Sequence, residues 1–182
     1  NNVATVDGYY RRPWLMELLG CICKRKFTTD LHLIKSIKRV LSKGDVLCMY
    51  PEARYTPIGT TAILPDSLGK LVKSCKVPVV VMLHHGNYLR TPFWNYRKVR
   101  KVPLYTTVEQ ILTAEQVSSM SADEINTAIR NAMQYDEYKW QKEQNIKITE
   151  PFRAEGLHKV LYQCPHCKTE FKMDSVGATI FC

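Results

Sequence analysis

The sequence predicts an α/β domain with a largely parallel sheet, followed by helices and a short cysteine-bearing module. Continuous apolar runs alternate with amphipathic stretches between residues 14 and 83. Unbroken apolar strands suit sheets buried on both faces, whose parallel strands are joined by crossover helices. The composition, 45% hydrophobic and 24% charged, belongs to a globular chain rather than to a disordered or fibrous one. At 182 residues there is room for one ordinary domain and something small.

The elements follow in chain order. Trp14 to Cys23 is apolar, and Gly20–Cys23 reads as a short buried strand entering the basic triplet Lys24, Arg25, Lys26. Thr28, Thr29 or Asp30 offers an N-cap to a helix with Leu33, Ile34, Ile37, Val40 and Leu41 on one face, and Gly44 stands where a helix stop belongs. Val46–Tyr50 is a second apolar strand, ended by Pro51. Pro65 and Asp66 open a helix carrying Leu68, Leu71, Val72 and Cys75, and Val77–Leu83 gives a third strand. Beyond Leu104 the pattern becomes helical: Ser121 and Glu124 form a capping box, and Ile125, Ile129, Ala132 and Met133 predict a helix running toward Lys142. Residues 144–157 read as a linker. The expected division is 1–108, 109–157 and 158–182.

Charge is unevenly spread. Residues 1–108 hold 18 basic and 6 acidic side chains, a net of +12, whereas 109–182 hold 8 and 11, a net of −3. The basic part therefore suits a phosphate-bearing partner, whether nucleic acid, anionic lipid or a phosphorylated small molecule. The longest apolar run, Val77 to Leu83, is far short of the ~20 residues that cross a bilayer. Seven cysteines without a secretion signal argue against a disulfide framework and for a reducing, cytoplasmic setting.

The sharpest chemical signal is Tyr50-Pro51-Glu52-Ala53-Arg54 at the mouth of a buried strand. Pro51 lacks an N–H and ends the ladder, so Glu52 projects where it can accept hydrogen bonds from substrate hydroxyls. Alone, it better suits a solvated loop Glu paired with a nearby Arg. Its company is Gly20-Cys21-Ile22-Cys23-Lys24-Arg25 before it and Val77-Pro78-Val79 after it. These three blocks, in this order, resemble the glycerolipid acyltransferases, specifically the 1-acyl-glycerol-3-phosphate (lysophosphatidate) acyltransferases, over roughly residues 9–108. A bacterial subset with a C-terminal Cys-rich module is the nearest form. The resemblance implies that Arg25 binds the substrate phosphate and Glu52 the glycerol backbone. The family's Gly after the Glu stands here as Ala53, and its Arg as Tyr55, with Arg54 one place earlier as a third binding candidate.

The same resemblance implies a His-x4-Asp motif, with His as general base and Asp holding it in orientation. None of His32, His84, His85, His158 or His166 has Asp five places on. In the family that motif precedes the phosphate-binding block, so it is expected ahead of Asn1. The chain starts without Met and stops on Cys182, and it is read as a fragment with no catalytic residue of its own. His84 and His85, at a strand end without recognisable partners, are expected to be structural or merely exposed. Arg97, Lys98, Arg100 and Lys101 beside Phe93, Trp94 and Tyr96 read either as a solvated edge or as contact with an anionic bilayer surface.

Cys164-Pro165-His166-Cys167, fourteen residues and Cys182 make the other specific signal. A Cys-x2-Cys knuckle sends two thiolates to one tetrahedral Zn²⁺, and a ribbon repeats the knuckle across a hairpin. The module is therefore expected to be an incomplete zinc ribbon, with structural zinc on Cys164, Cys167 and Cys182 and no catalytic cofactor. The fourth ligand would come from a residue beyond Cys182, from His158 or His166, from water, or from another chain. A redox pair or idle thiols are the rival reading.

The expected function is transfer of a fatty acyl group from acyl-CoA or acyl carrier protein to a lysophosphatidate-like acceptor, at the inner face of the cell membrane. A basic nucleic-acid or protein binding module and a catalytically inactive scaffold are the alternatives. Nucleic acid is disfavoured because residues 158–182 carry only Lys159, Lys168 and Lys172 against Glu170 and Asp174.

Overall fold

The N-terminal segment folds around a parallel ladder in a computed structural model that describes residues 1–25 and 30–182. In chain order the elements are β1 (Asn2–Thr5), α1 (Val6–Arg11), α2 (Pro13–Leu18), β2 (Cys21–Lys24), α3 (Leu31–Ser42), α4 (Ser67–Cys75), β3 (Val79–His85), α5 (Asn87–Arg90), β4 (Tyr105–Leu112), α6 (Ala114–Ser119), α7 (Ala122–Ala132), α8 (Glu137–Glu143), β5 (Asp174–Val176) and β6 (Thr179–Phe181). They form two compact units, interleaved in sequence: Asn1–Ala53 with Ile63–Val80 and Gln110–Ala132, and Arg54–Ala62 with Val81–Glu109 and Met133–Cys182. The α/β class expected from the alternating runs is the class observed.

In the first unit β1 pairs in parallel with β2, Asn2 opposite Cys21 and Thr5 opposite Lys24. A parallel bridge joins Asn2 to Cys48 as well, with the Val3 N–H donating to the Cys48 carbonyl at 3.0 Å and the Cys48 N–H to the Asn1 carbonyl at 2.8 Å. The expected strand at Val46–Tyr50 is thus a single bridge. Pro51 offers no donor beyond it, and the Ala53 N–H turns back to the Tyr50 carbonyl at 3.1 Å. Of the candidate caps for α3, Asp30 is the one observed, accepting from the Leu33 N–H at 3.0 Å; Thr28 and Thr29 lie outside the described residues. Leu33 and Ile37 are buried, and Gly44 sits at φ +80° just past the helix, where a Cβ would be strained.

Helix α4 packs on α7. The capping box at Ser121 and Glu124 is reciprocal, with the Ser121 N–H donating to Oε2 at 2.7 Å and the Glu124 N–H to Oγ at 3.2 Å. Ile125 and Ile129 are buried on the face this start sets up. Asn126 bridges the pair: its Oδ1 accepts from the Gly69 N–H at 2.6 Å, and its Nδ2 donates to the Asp66 carbonyl at 2.6 Å. Arg130 pairs with the Asp66 carboxylate, and the Lys73 ammonium caps the Met120 carbonyl.

The second unit has its own core of Tyr88, Leu89, Trp94, Val102 and Trp140, ringed by Tyr135, Ile146, Ile148, Leu157 and Val160. The helix expected to run from Ser121 toward Lys142 is two helices. The chain leaves α7 after Ala132, the Tyr135 N–H donates to Thr61 Oγ1 at 2.9 Å, and Asp136 starts α8 by accepting from the N–H groups of Tyr138 and Lys139. Among the described residues the strands form three two-stranded sheets, β1 with β2, β3 with β4, and the antiparallel hairpin of β5 and β6. Strand β4 is mostly polar and exposed, so the apolar-run pattern passed over it.

Candidate functional site

The parallel ladder sets the place of the first candidate site. Cys21 and Cys48 both lie level with Asn2, in strands running the same way. Arg25 follows β2 directly, whereas Glu52 follows the Cys48 bridge through the turn in which the Ala53 N–H returns to the Tyr50 carbonyl; both lie on chain that runs on past the ladder's C-terminal edge. Functional groups of parallel α/β sheets gather at that edge. Arg25 is exposed and Glu52 half-buried. Arg54, exposed in a bend, belongs to the second unit.

Asp30 tethers Arg25. One carboxylate oxygen accepts from the Arg25 N–H at 3.1 Å while the other caps α3 through Leu33. These backbone donors, Leu33 first and Arg25 second, hold the Asp30 carboxyl below the usual carboxylate range. The cap was legible as an Asp ahead of an apolar helical face. Its second bond, to the Arg25 N–H five residues back, has no local pattern.

At Glu52 the turn has a backbone demand of its own. Ala53 sits at φ +53°, in the left-handed region that favours glycine. The glycyl position of the resembled motif is thus one where the backbone here adopts a glycine-type conformation.

His84 and His85, at the end of β3, are fastened by β4. His84 Nδ1 lies 2.8 Å from Thr106 Oγ1, and His85 Nε2 lies 3.0 Å from Thr107 Oγ1. His85 is buried, stacked on Tyr105 with centroids 4.4 Å apart and edge-on to Tyr135 at 4.9 Å. Burial lowers its pKa, with Glu137 acting in the opposite sense. Glu137, only 2% exposed, accepts from the Leu89 N–H at 3.3 Å, and burial pushes its carboxyl up. Sequence reading missed Glu137, because its contacts with Gly59 and Leu89 are long-range.

The basic aromatic segment divides into engaged and unengaged cations. Arg100 is buried, donating to the Leu89 carbonyl at 3.3 Å and the Arg153 carbonyl at 2.7 Å while lying over Trp94. Lys98 pairs with Glu155, and the Lys101 N–H donates to the Glu150 carboxylate. Arg97 lies over Tyr96 and faces no carboxylate among the described residues.

Cys164, Cys167 and Cys182 come together, their sulfurs all within 4.8 Å of one another. The knuckle closes through the Lys168 N–H to the Cys164 carbonyl and the Cys164 N–H to the Thr169 carbonyl, both at 3.0 Å, with Lys168 at φ +60°. The β5–β6 hairpin delivers Cys182. Cys167 and Cys182 sulfurs are 3.7 Å apart, too far for a disulfide. Two thiolates on one tetrahedral zinc, each bound at ~2.3 Å, would stand about 3.8 Å apart. Thr169, through its hydroxyl and then its backbone, draws the Cys167 thiol down to about 6, while Cys167 and Cys164 push Cys182 up to about 11. The three sulfurs are compatible with a structural zinc.

The architecture is that of an α/β acyltransferase-like fold. It is similar to a solved structure, the 1-acyl-sn-glycerophosphate (LPA) acyltransferase, PlsC, from Thermotoga maritima, with a TM-score of 0.50 and 11% identity over 81% of this chain. The chain spans 58% of the length of that one. At this identity the likeness is one of fold. No protein-family model matches the chain, and no curated protein matches it in sequence. Among the described residues no helix is long and apolar enough to cross a membrane.

Proposed function

We propose that this chain carries the acceptor-binding part of an acyltransferase acting on lysophosphatidate-like lipids. The observation that carries the reading is the parallel ladder: Arg25 directly follows β2, and Glu52 follows the Cys48 bridge through a tight turn, so both lie on chain that runs on past the ladder. The acyltransferase-like fold supports it. Arg25 would hold the acceptor's phosphate through charge-assisted hydrogen bonds, and Glu52 would accept from its glycerol hydroxyl. In the reaction the acceptor's free hydroxyl attacks the thioester carbonyl of acyl-CoA or acyl carrier protein, an ester C–O bond forms, and the C–S bond breaks. The hydroxyl's proton passes to a general base and then to the departing thiol. With no His-x4-Asp in its 182 residues, the chain's contribution is to bind and orient the acceptor. Zinc on Cys164, Cys167 and Cys182 would be structural, and the acceptor would reach the site from an anionic membrane surface.

The test is acceptor binding. Titrating the protein with a short-chain lysophosphatidate should show saturable binding that Arg25→Ala weakens about tenfold or more, since one charge-assisted bond contributes ~1.5–3 kcal/mol. Glu52→Gln should weaken it less and leave phosphate recognition intact. Unchanged affinity in both variants would remove these residues from the site.

A further inference from the structure

A second feature of the molecule, in the unit that holds Trp94, carries an inference independent of Arg25 and Glu52. Two short 3-10 turns, Phe93–Asn95 and Leu157–Lys159, meet there. Gly156 makes the meeting possible: a Cβ on it would stand 2.5 Å from the Trp94 carbonyl oxygen. Lys98 and Glu155 pair from residues adjoining the two turns, and Arg100 lies 5.7 Å from the Trp94 ring centroid. Between the turns is a depression of about 380 Å³ lined by Trp94, Asn95, Tyr96, Arg97 and Lys159.

Its chemistry is one-sided. Two of its five residues are cations, none is acidic, and among the described residues neither Arg97 nor Lys159 meets a carboxylate. The nearby carboxylate Glu155 is already taken by Lys98. Trp94 Nε1 and Asn95 Nδ2 are buried donors with no partner. Buried polar groups in folded proteins are almost always paired, so two orphaned donors on two of the lining residues are a departure from the usual pattern. The guanidinium, the ammonium, the indole N–H and the amide N–H donate and do not accept. Such a set suits an anion with several acceptor oxygens, and a guanidinium matches the oxygens of phosphate in particular. The volume exceeds what a phosphate fills and leaves room for the group that bears it, against the Trp94 and Tyr96 rings.

We propose that this depression binds a phosphate-bearing ligand, held by the exposed cations Arg97 and Lys159 beside Trp94 and Tyr96. Phosphate is the shared chemistry, and it reaches the site either on a lipid headgroup or on a soluble molecule.

The experiment uses the ¹⁵N-labelled full chain, reading the Trp94 indole and Asn95 amide resonances. Inorganic phosphate and glycerol 3-phosphate form one arm. Sedimentation with phosphatidylcholine vesicles, with and without phosphatidic acid, forms the other. Saturable shifts at Trp94 and Asn95 in the first arm indicate a soluble source. Pelleting that requires phosphatidic acid, without those shifts, indicates the headgroup. Both arms must lose about tenfold or more in affinity in Arg97→Ala/Lys159→Ala, keep most of it in Arg97→Lys, and be indifferent to Lys172→Ala. Arg97 and Lys159 are exposed, so truncating them leaves the core intact. Binding in neither arm, or binding that the double variant leaves unchanged, overturns the proposal. The two sites are probed by different residues, Arg97 and Lys159 here and Arg25 and Glu52 at the acceptor site, so the failure of one is told apart from the failure of the other.

Discussion

Replacing Gly69 by Ala in α4 sets two general expectations against each other. In the interior of a helix, Ala is ordinarily favoured over Gly by about 1 kcal/mol. At Gly69 the geometry reverses the sign. A Cβ there would stand 2.1 Å from the Ala122 carbonyl oxygen, and 2.8 and 2.9 Å from Asn126 Cγ and Oδ1, all inside the 3.0 Å that real Cβ contacts respect. Relief means moving α7 away from α4, which costs roughly 1–3 kcal/mol for overpacking. It also loosens the buried bond from the Gly69 N–H to Asn126 Oδ1, worth another ~1–3 kcal/mol when a buried group loses its partner. Net destabilisation should be about 3 kcal/mol, a fall of roughly 6–12 °C in unfolding midpoint for a chain of this size. Chemical and thermal unfolding followed by circular dichroism would read it, with Lys70→Ala on the exposed face of α4 as the propensity control. Asn126→Ala should fail to rescue the variant, because the closest atom is backbone. A Gly69→Ala protein as stable as wild type, or one restored by Asn126→Ala, would refute the close approach of α4 and α7.

Two further outcomes follow from the sites. Zinc should copurify at one equivalent per chain, Cys167→Ser should lose it, and chelation should melt the β5–β6 hairpin as read by hydrogen exchange, since metal binding and folding are one free energy in so small a module; elemental analysis finding no metal would leave ordinary thiols. Ala53→Gly should stabilise the protein by about 0.5–1 kcal/mol, the left-handed strain of ~1–2 kcal/mol less the greater unfolded freedom of glycine, and a neutral or destabilising result in the same unfolding assay would contradict the φ of +53°.

What was legible in the sequence was local. Asp30 ahead of an apolar helical face, Gly44 behind it, and Ser121 with Glu124 each act through bonds spanning three or four residues, and each is where the pattern put it. The three cysteines were legible because a knuckle and a following hairpin bring their ligands together by chain geometry alone. The pattern failed where a long-range partner decides. Met133–Asp136 has helical spacing on both sides, yet Thr61, more than seventy residues earlier, holds Tyr135 out of the helix. Val46–Tyr50 looks like a full strand, but ladder pairing reaches only Cys48 before Pro51 and the turn at Ala53 intervene. Arg97, Lys98, Arg100 and Lys101 are alike in sequence and unlike in the fold, because Glu155 and the carbonyls of Leu89 and Arg153 arrive from elsewhere to engage the side chains of Lys98 and Arg100, while Glu150 takes the backbone N–H of Lys101.

Ala53 shows how the two kinds of information meet. Read as a string, it is a mismatch to the glycine of the resembled motif and weakens the likeness. Read as a conformation, it is a left-handed residue one place after the carboxylate, which is the reason a glycine serves there. The backbone at Ala53 is thus of the glycine type although its side chain is not. An acceptor-binding role for Glu52 depends on that turn, since the turn and not the preceding strand decides where the carboxylate stands.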